Sequence, residues 1–370
     1  MRTRPNRMRA CTLSFFAHVL ISLTTATGYG AWEVVLDTAG ARNLMGVHFA
    51  DANHGIAWGQ GGTRIIWSDD GGRTWHPATT PKTLNEKVKG YAFFVYDAQM
   101  LNARVGYALA MRHSTGRGLL LRSGDGGRTW SVVSNLREIG GARPMRIWFA
   151  NEERGWIIPL VGHRLFKTTD ASKTLHAIGI ANAHPAIRAS VHWRHGALHA
   201  FSFQHILLGC DGPMVIATRD GGASWSAVEL AQMDRRFFVA DIDFCNAKHG
   251  WLVGFESGRI PHKGNFAYRT TDGGASWIRV RLPCENYLRS VDCLSADEVY
   301  IAGWHIGVTA TVDVPGVLLH TTDGGKTWRN ENPTLCPLEC VFFLDRKHGW
   351  AVGGKGGMGN LPSAIILRFR

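Results

Sequence analysis

Beyond its first thirty residues this 370-residue chain has no apolar run long enough to cross a bilayer, so no membrane span is predicted there. No two cysteines have the two-residue spacing of a zinc knuckle, which argues against a structural zinc site. Tyrosine is scarce, with seven in the chain and most of them inside apolar stretches, so none stands out as a nucleophile. Six cysteines follow residue 30: Cys210, Cys245, Cys284, Cys293, Cys336 and Cys340. An even number permits disulfides in an exported chain. The close pairs Cys284 with Cys293 and Cys336 with Cys340 are candidates, and free buried thiols are the alternative.

The first thirty residues read differently. "MRTRPNRMR" holds four arginines and no acid, "ACTLSFFAHVLISL" is a short apolar core, and "TTATGYG" places Ala26 and Gly28 for cleavage after Gly28. This layout predicts a signal peptide over 1–30 and an exported protein, periplasmic or extracellular, with an uncleaved anchor as the alternative. Cys11 precedes the apolar core and is badly placed for a lipoprotein cysteine. Loss of the four arginines takes the formal charge from +12 to +8. A basic surface favours acidic protein segments or acidic glycans, and export argues against nucleic acid.

What the chain has in abundance is one short turn. "SDDGGRTW", "SGDGGRTW", "TRDGGASW", "TTDGGASW" and "TTDGGKTW" end at Trp75, Trp130, Trp225, Trp277 and Trp328, and "TTDASKTL", ending at Leu175, is a decayed copy. The aspartates are Asp70, Asp125, Asp170, Asp220, Asp272 and Asp323, a period near 50 residues that signals an array, propeller or solenoid. A second motif alternates with the first: "HGIAWG", "VGYALA", "RGWIIP", "HGALHA", "HGWLVG", "EVYIAG" and "HGWAVG" make seven turn-then-strand copies. Apolar stretches before each of these, and before each acidic turn, complete a unit of four antiparallel strands, A to D, with the acidic turn between C and D. That is the content of one propeller blade, and seven copies predict an all-β, seven-bladed propeller over 31–370.

Seven B strands against six acidic turns is informative. The last unit ends with "SAIILRFR" and lacks a D strand, while "AWEVVLD" at Ala31–Asp37 begins with a tryptophan and belongs to no complete unit. The N-terminal strand is therefore predicted to complete the last blade, closing the ring by hydrogen bonds.

The acidic turns resemble the Asp-box, or BNR, repeat. The aspartate can accept hydrogen bonds from its own turn, the glycines permit otherwise closed dihedrals and the tryptophan packs between sheets, so the box reads as a folding device. Aspartates spread round a ring cannot pair, so no catalytic acid, metal or cofactor is predicted. The turn histidines His54, His195, His249 and His348 read as surface residues of the A to B turn. Asp-box propellers include sialidases, and a sialidase-like hydrolase or a lectin of this class is the alternative function. Arg259-Ile260-Pro261 follows the fifth B strand, not the first box, and reads as a chance match. Glycine-rich boxes alternating with "HGWAVG" strands in a seven-unit ring are similar to the photosystem II stability/assembly factor family. The resemblance implies a noncatalytic assembly factor that binds another protein, and a monomer is expected.

Basic residues recur near the starts of the A strands: Arg42, Lys89, Arg143, Arg146, Arg188, Arg235, Arg236 and Arg289, with Glu339 breaking the pattern in the last blade. On strands lining a channel they would form a cationic rim able to hold an acidic segment or a carboxylate; ordinary solvated charges are the alternative. The B to C loops add Arg112, Arg117, Arg259, Lys263 and Lys355. Asp241, Asp243 and Asp292, on A strands, are the remaining foothold for an enzyme.

Overall fold

Each acidic turn is closed by its own side chains. In the first, the Ser68 hydroxyl donates to Asp70 Oδ1 and accepts from the Gly72 amide, both at 2.8 Å. Asp70 accepts from the amides of Arg73 and Thr74 at 2.9 and 3.0 Å and from the Thr74 hydroxyl at 2.6 Å. The hydroxyl and amide bonds recur around Asp125, Asp170, Asp220, Asp272 and Asp323. Donors aimed at a carboxylate favour its charged form. The hydroxyls of Thr174, Ser224 and Ser276 accordingly hold Asp170, Asp220 and Asp272 down to about 2.

The two residues after the aspartate both need positive φ, 76° and 79° at Gly71 and Gly72. Space matters too: a Cβ on Gly72 would lie 2.6 Å from Trp350 Nε1, and one on Gly325 2.6 Å from Trp251. The box therefore seats its second glycine on a B-strand side chain of the preceding blade, an aromatic one here and an aliphatic one, Ile56 or Leu207, under Gly127 and Gly274. In the third box Ala171 and Ser172 hold the same conformation at φ 60° and 66°, and the buried Ser172 hydroxyl oxygen has no hydrogen-bond partner. The left-handed region costs an L residue roughly 1–2 kcal/mol, part of which glycine returns as unfolded-state entropy. The double change Ala171→Gly with Ser172→Gly is expected to stabilise the protein by about 1–2 kcal/mol, read as a higher urea midpoint; an unchanged or lower midpoint would refute it.

The structure, a computed structural model, describes residues 32–39, 43–59, 64–85, 93–112, 117–136, 144–159, 164–180, 197–210, 214–230, 237–256, 264–305, 316–334, 336–354 and 363–370. The leader predicted over 1–30, Cys11 included, lies outside them. The described strands form seven four-stranded antiparallel sheets, so the chain is an all-β, seven-bladed propeller. The A strands are Leu44–Phe49, Phe93–Met100, Pro144–Phe149, Leu198–Ala200, Phe237–Phe244, Asn286–Cys293 and Leu338–Asp345. Each pairs with its B strand, which is apolar and buried on both faces because blades pack against it from either side. Trp156, Trp251 and Trp350 on B strands are the largest fully buried side chains.

One assignment changes. "HGALHA" matches the B-strand motif, but Leu198–Ala200 is strand A of that blade, and Ile206–Cys210 is strand B. Only Ile206–Cys210 can pair with Met214–Thr218, the C strand leading into the fourth box. His195 lies outside the described residues, and the fourth A to B turn carries His205 instead.

All seven A to B turns share one device. Asp51, Asn102, Asn151, Ser202, Asn246, Ser295 and Asp345 each accept from the amides two and three residues on. His54, His249 and His348 bond back to Asp51, Asn246 and Asp345, which makes them turn residues. The turns also accept from the boxes, as in Gly71 N to Asn53 O at 3.0 Å, so boxes and A to B turns lie on one face.

The ring closes as the repeat count required. Trp32–Ala39 pairs antiparallel with Ser363–Phe369 as the D strand of blade seven, running from Trp32 opposite Phe369 to Ala39 opposite Ser363.

Candidate functional site: the central channel

The A strands line a channel of about 930 Å³. In six of the seven A to B pairings the register slips by one residue within strand A, for example between Val95 and Asp97 and between Val239 and Asp241. Such a bulge re-aims the side chains that follow it. Here it places Asp97, Arg146, Asp241, Ser290 and Cys340 in the channel lining, with His48, Gln99, Asp243, Asp292 and Phe342 one alternation further on.

These polar side chains answer a problem of backbone chemistry. An innermost strand has no neighbour on its inner side, and its amides there need acceptors. Each acceptor comes from the preceding blade. Asp97 takes the Ile147 amide at 2.9 Å, Gln99 that of Phe149 at 2.8 Å, Asp241 that of Val291 at 3.0 Å, Asp243 that of Cys293 at 2.8 Å and Asp292 that of Phe343 at 2.8 Å. His48 Nδ1 takes the Met100 amide, and the Ser290 hydroxyl that of Val341, both at 3.3 Å. Donor and acceptor are 50 to 52 residues apart throughout, which is the repeat period. Recurring polar residues at inward positions, one period apart, were the available sequence signal, and Asp97 and Gln99 were missed.

The channel's charges are internally matched in part. Arg146 lies 3.4 Å from Asp97 and also feels Asp241. Burial raises Asp97 above the usual carboxylate range, although Arg146 opposes the shift. Burial pushes Asp241 up to about 6 and, with Asp243 and Asp241 nearby, raises Asp292 well above its ordinary value. Burial also brings His48 down to about 4, so its ring is neutral and can accept from Met100. Arg289 bonds Glu339 at 2.8 Å, and Asn43 donates to the same carboxylate at 3.1 Å.

Of the eight basic residues predicted to form a rim, Arg146 and Arg289 are thus ion-paired within the ring. Arg42, Lys89, Arg143, Arg188, Arg235 and Arg236 lie outside the described residues, as do Arg259, Ile260, Pro261, Lys263 and Lys355. None of the six described cysteines is in a disulfide, so neither suggested pairing is present. Among the described residues no group of three or more His, Cys, Asp or Glu side chains is arranged to hold a metal, and no helix is long and apolar enough to cross a membrane.

Comparison with known proteins gives this geometry a family context. A family profile described as "Photosynthesis system II assembly factor YCF48" matches residues 222–335, and a "BNR/Asp-box repeat" profile matches 66–77. The photosystem II assembly lipoprotein Ycf48 of Synechococcus sp. (strain CC9902) is 32% identical over 125 residues. That match spans 33% of this chain and 32% of the relative, about a third of each. The fold agrees over a much longer stretch: a structure of YCF48 bound to a D1 peptide has a TM-score of 0.64 at 18% identity, covering 93% of this chain and 98% of that one. This is an Asp-box propeller resembling the photosystem II assembly factors. YCF48 from Cyanidioschyzon merolae gives the same TM-score of 0.64 at 16% identity, over 92% of this chain and 99% of that one. The GH74 xyloglucanase of Xanthomonas campestris scores 0.63 at 15% identity, but this chain spans only 53% of it. At such identities the structural likeness is one of fold.

Proposed function

We propose that this Asp-box propeller is an exported, noncatalytic docking protein that holds a protein segment during assembly of a larger complex. The segment is acidic or carries a free carboxylate, and it is held on the face from which the D to A and B to C connections leave. The observation that carries the reading is the fold shared over nearly the whole chain with YCF48, one structure of which holds a D1 peptide. The formal charge supports an anionic partner, and the opposite face is occupied by boxes and capped turns.

The chemistry of the channel supports a noncatalytic role. A glycosidase needs carboxylates free to act as acid and as base or nucleophile, whereas Asp241, Asp243 and Asp292 each accept a backbone amide of the next blade.

The test compares the mature protein with a variant in which Arg143, Arg188 and Arg236 are alanine. Binding of a synthetic D1 peptide would be followed by calorimetry, alongside affinity capture from envelope extracts of the source cells. The expected result is a partner bound by the parent and held at least ~10-fold more weakly by the variant, with affinity falling as salt rises. Equal binding by the two proteins, or no specific binding by the parent, would overturn the basic-face reading.

A further inference from the structure

Cys245 and Cys293 lie at the same end of neighbouring A strands in adjacent blades. Cys245 directly follows strand A of blade five, Phe237–Phe244, and Cys293 ends strand A of blade six, Asn286–Cys293. The strands are pinned there, because Asp243, two residues before Cys245, accepts the Cys293 amide at 2.8 Å. Cys245 packs against the apolar cluster between blades five and six that includes Cys293, and both residues line the channel. Cys245 is half-buried, with Asn246 Nδ2 donating toward its sulfur at 3.6 Å, while Cys293 is buried and its thiol points to Ser295 O at 3.3 Å. We infer that Cys245 and Cys293 are a redox-active dithiol that forms a reversible disulfide between blades five and six on reaction with a small-molecule or protein disulfide.

The other four described thiols are less available as thiolates. Cys210 and Cys336 are buried, burial pushes Cys340 up to about 12, and burial also raises Cys284. Within the pair the roles divide. Cys245 is the more exposed of the two, and its thiol is lowered by the neighbouring Cys293 against the opposing effect of burial while Cys293 is raised, so Cys245 is the first nucleophile. Its sulfur attacks the external disulfide, forming a mixed disulfide and expelling one thiolate. Cys293 then gives up its proton and attacks the Cys245 sulfur, expelling the second. The pair loses two electrons and two protons, and the external disulfide is reduced to two thiols. The hydrogen bond from the Cys293 amide to Asp243 already pins the two strands together at this point.

The experiment uses the whole mature protein, reduced and then equilibrated with mixtures of reduced and oxidised glutathione. Remaining thiols are alkylated after denaturation and the peptides mapped by mass spectrometry. The expected result is loss of two alkylatable thiols together, with a peptide joining Cys245 to Cys293. Cys293→Ser should instead retain one glutathione on Cys245, and Cys245→Ser should retain none on Cys293. A parent protein in which both cysteines stay alkylatable under oxidising mixtures, or in which another pair is joined, overturns the inference. The mapping is done on the parent, so the outcome does not depend on the variants folding.

Discussion

Replacing Trp32 with alanine is expected to destabilise the propeller by about 3–5 kcal/mol, the cost of truncating a large buried aromatic. Trp32 is 6% exposed and meets Tyr300, Phe343 and Phe369 edge-on, with ring centroids 5.9, 5.5 and 5.3 Å away. Its indole N–H donates to Glu331 at 3.3 Å. In blades four and six a box tryptophan packs edge-on against the B-strand tryptophan of the preceding blade, Trp225 on Trp156 and Trp328 on Trp251. Blade seven has no box, and Trp32 fills that role for Tyr300. The consequence reaches beyond a cavity, because Trp32 begins the strand that closes the ring. Arg368, opposite Glu33 in that pairing, bonds Glu33 at 2.9 Å and the Gly71 carbonyl of blade one at 3.0 Å. Loosening the strand would bare the edge of Ser363–Phe369, a template for aggregation. Urea unfolding and limited proteolysis would measure the effect, with Trp32→Phe retaining most of the stability. A loss below about 1 kcal/mol for the alanine variant would show that closure does not depend on this side chain.

The second large effect depends on pH. Asp241 has its folded pKa raised to about 6, so the folded protein holds its proton more tightly than the unfolded chain does. That stability is fully present below about 4 and is lost as pH rises through 6, where a buried carboxylate must ionise. Asp241→Asn removes the charge and keeps one oxygen for the Val291 amide, although it turns the new NH2 group toward the Ile242 amide, which bonds the other carboxylate oxygen. It is expected to stabilise the protein at pH 8 by up to about 3 kcal/mol, with the gain fading to nothing below about pH 4. Destabilisation at pH 8 would instead mean that Arg146 needs Asp241 as a counter-ion. The box aspartates have the opposite sign. Their folded pKa values are depressed, so their contribution is present above the usual carboxylate range and is lost as pH falls through about 2.

The amino-acid sequence by itself determined the number of blades, the place of the boxes and the closure by Trp32–Ala39, because each depends on local chemistry repeated at a fixed period. An aspartate, two glycines and a tryptophan make the same turn wherever they occur, and seven B strands with six turns leave one strand to be supplied from the other end of the chain. The fourth B strand was misread because "HGALHA" imitates the motif locally, whereas strand identity is settled by pairing with Met214–Thr218. The channel was not legible for a related reason. A one-residue bulge decides which alternate side chains of an A strand face inward, and their partners are amides 50 residues away that become neighbours only when the ring closes. Asp241, Asp243 and Asp292 could therefore be read as a hydrolase's carboxylates, and Arg146 and Arg289 as a free cationic rim. Only the tertiary structure showed amides and carboxylates already beside them, because an inner strand edge must find its acceptors in the preceding blade.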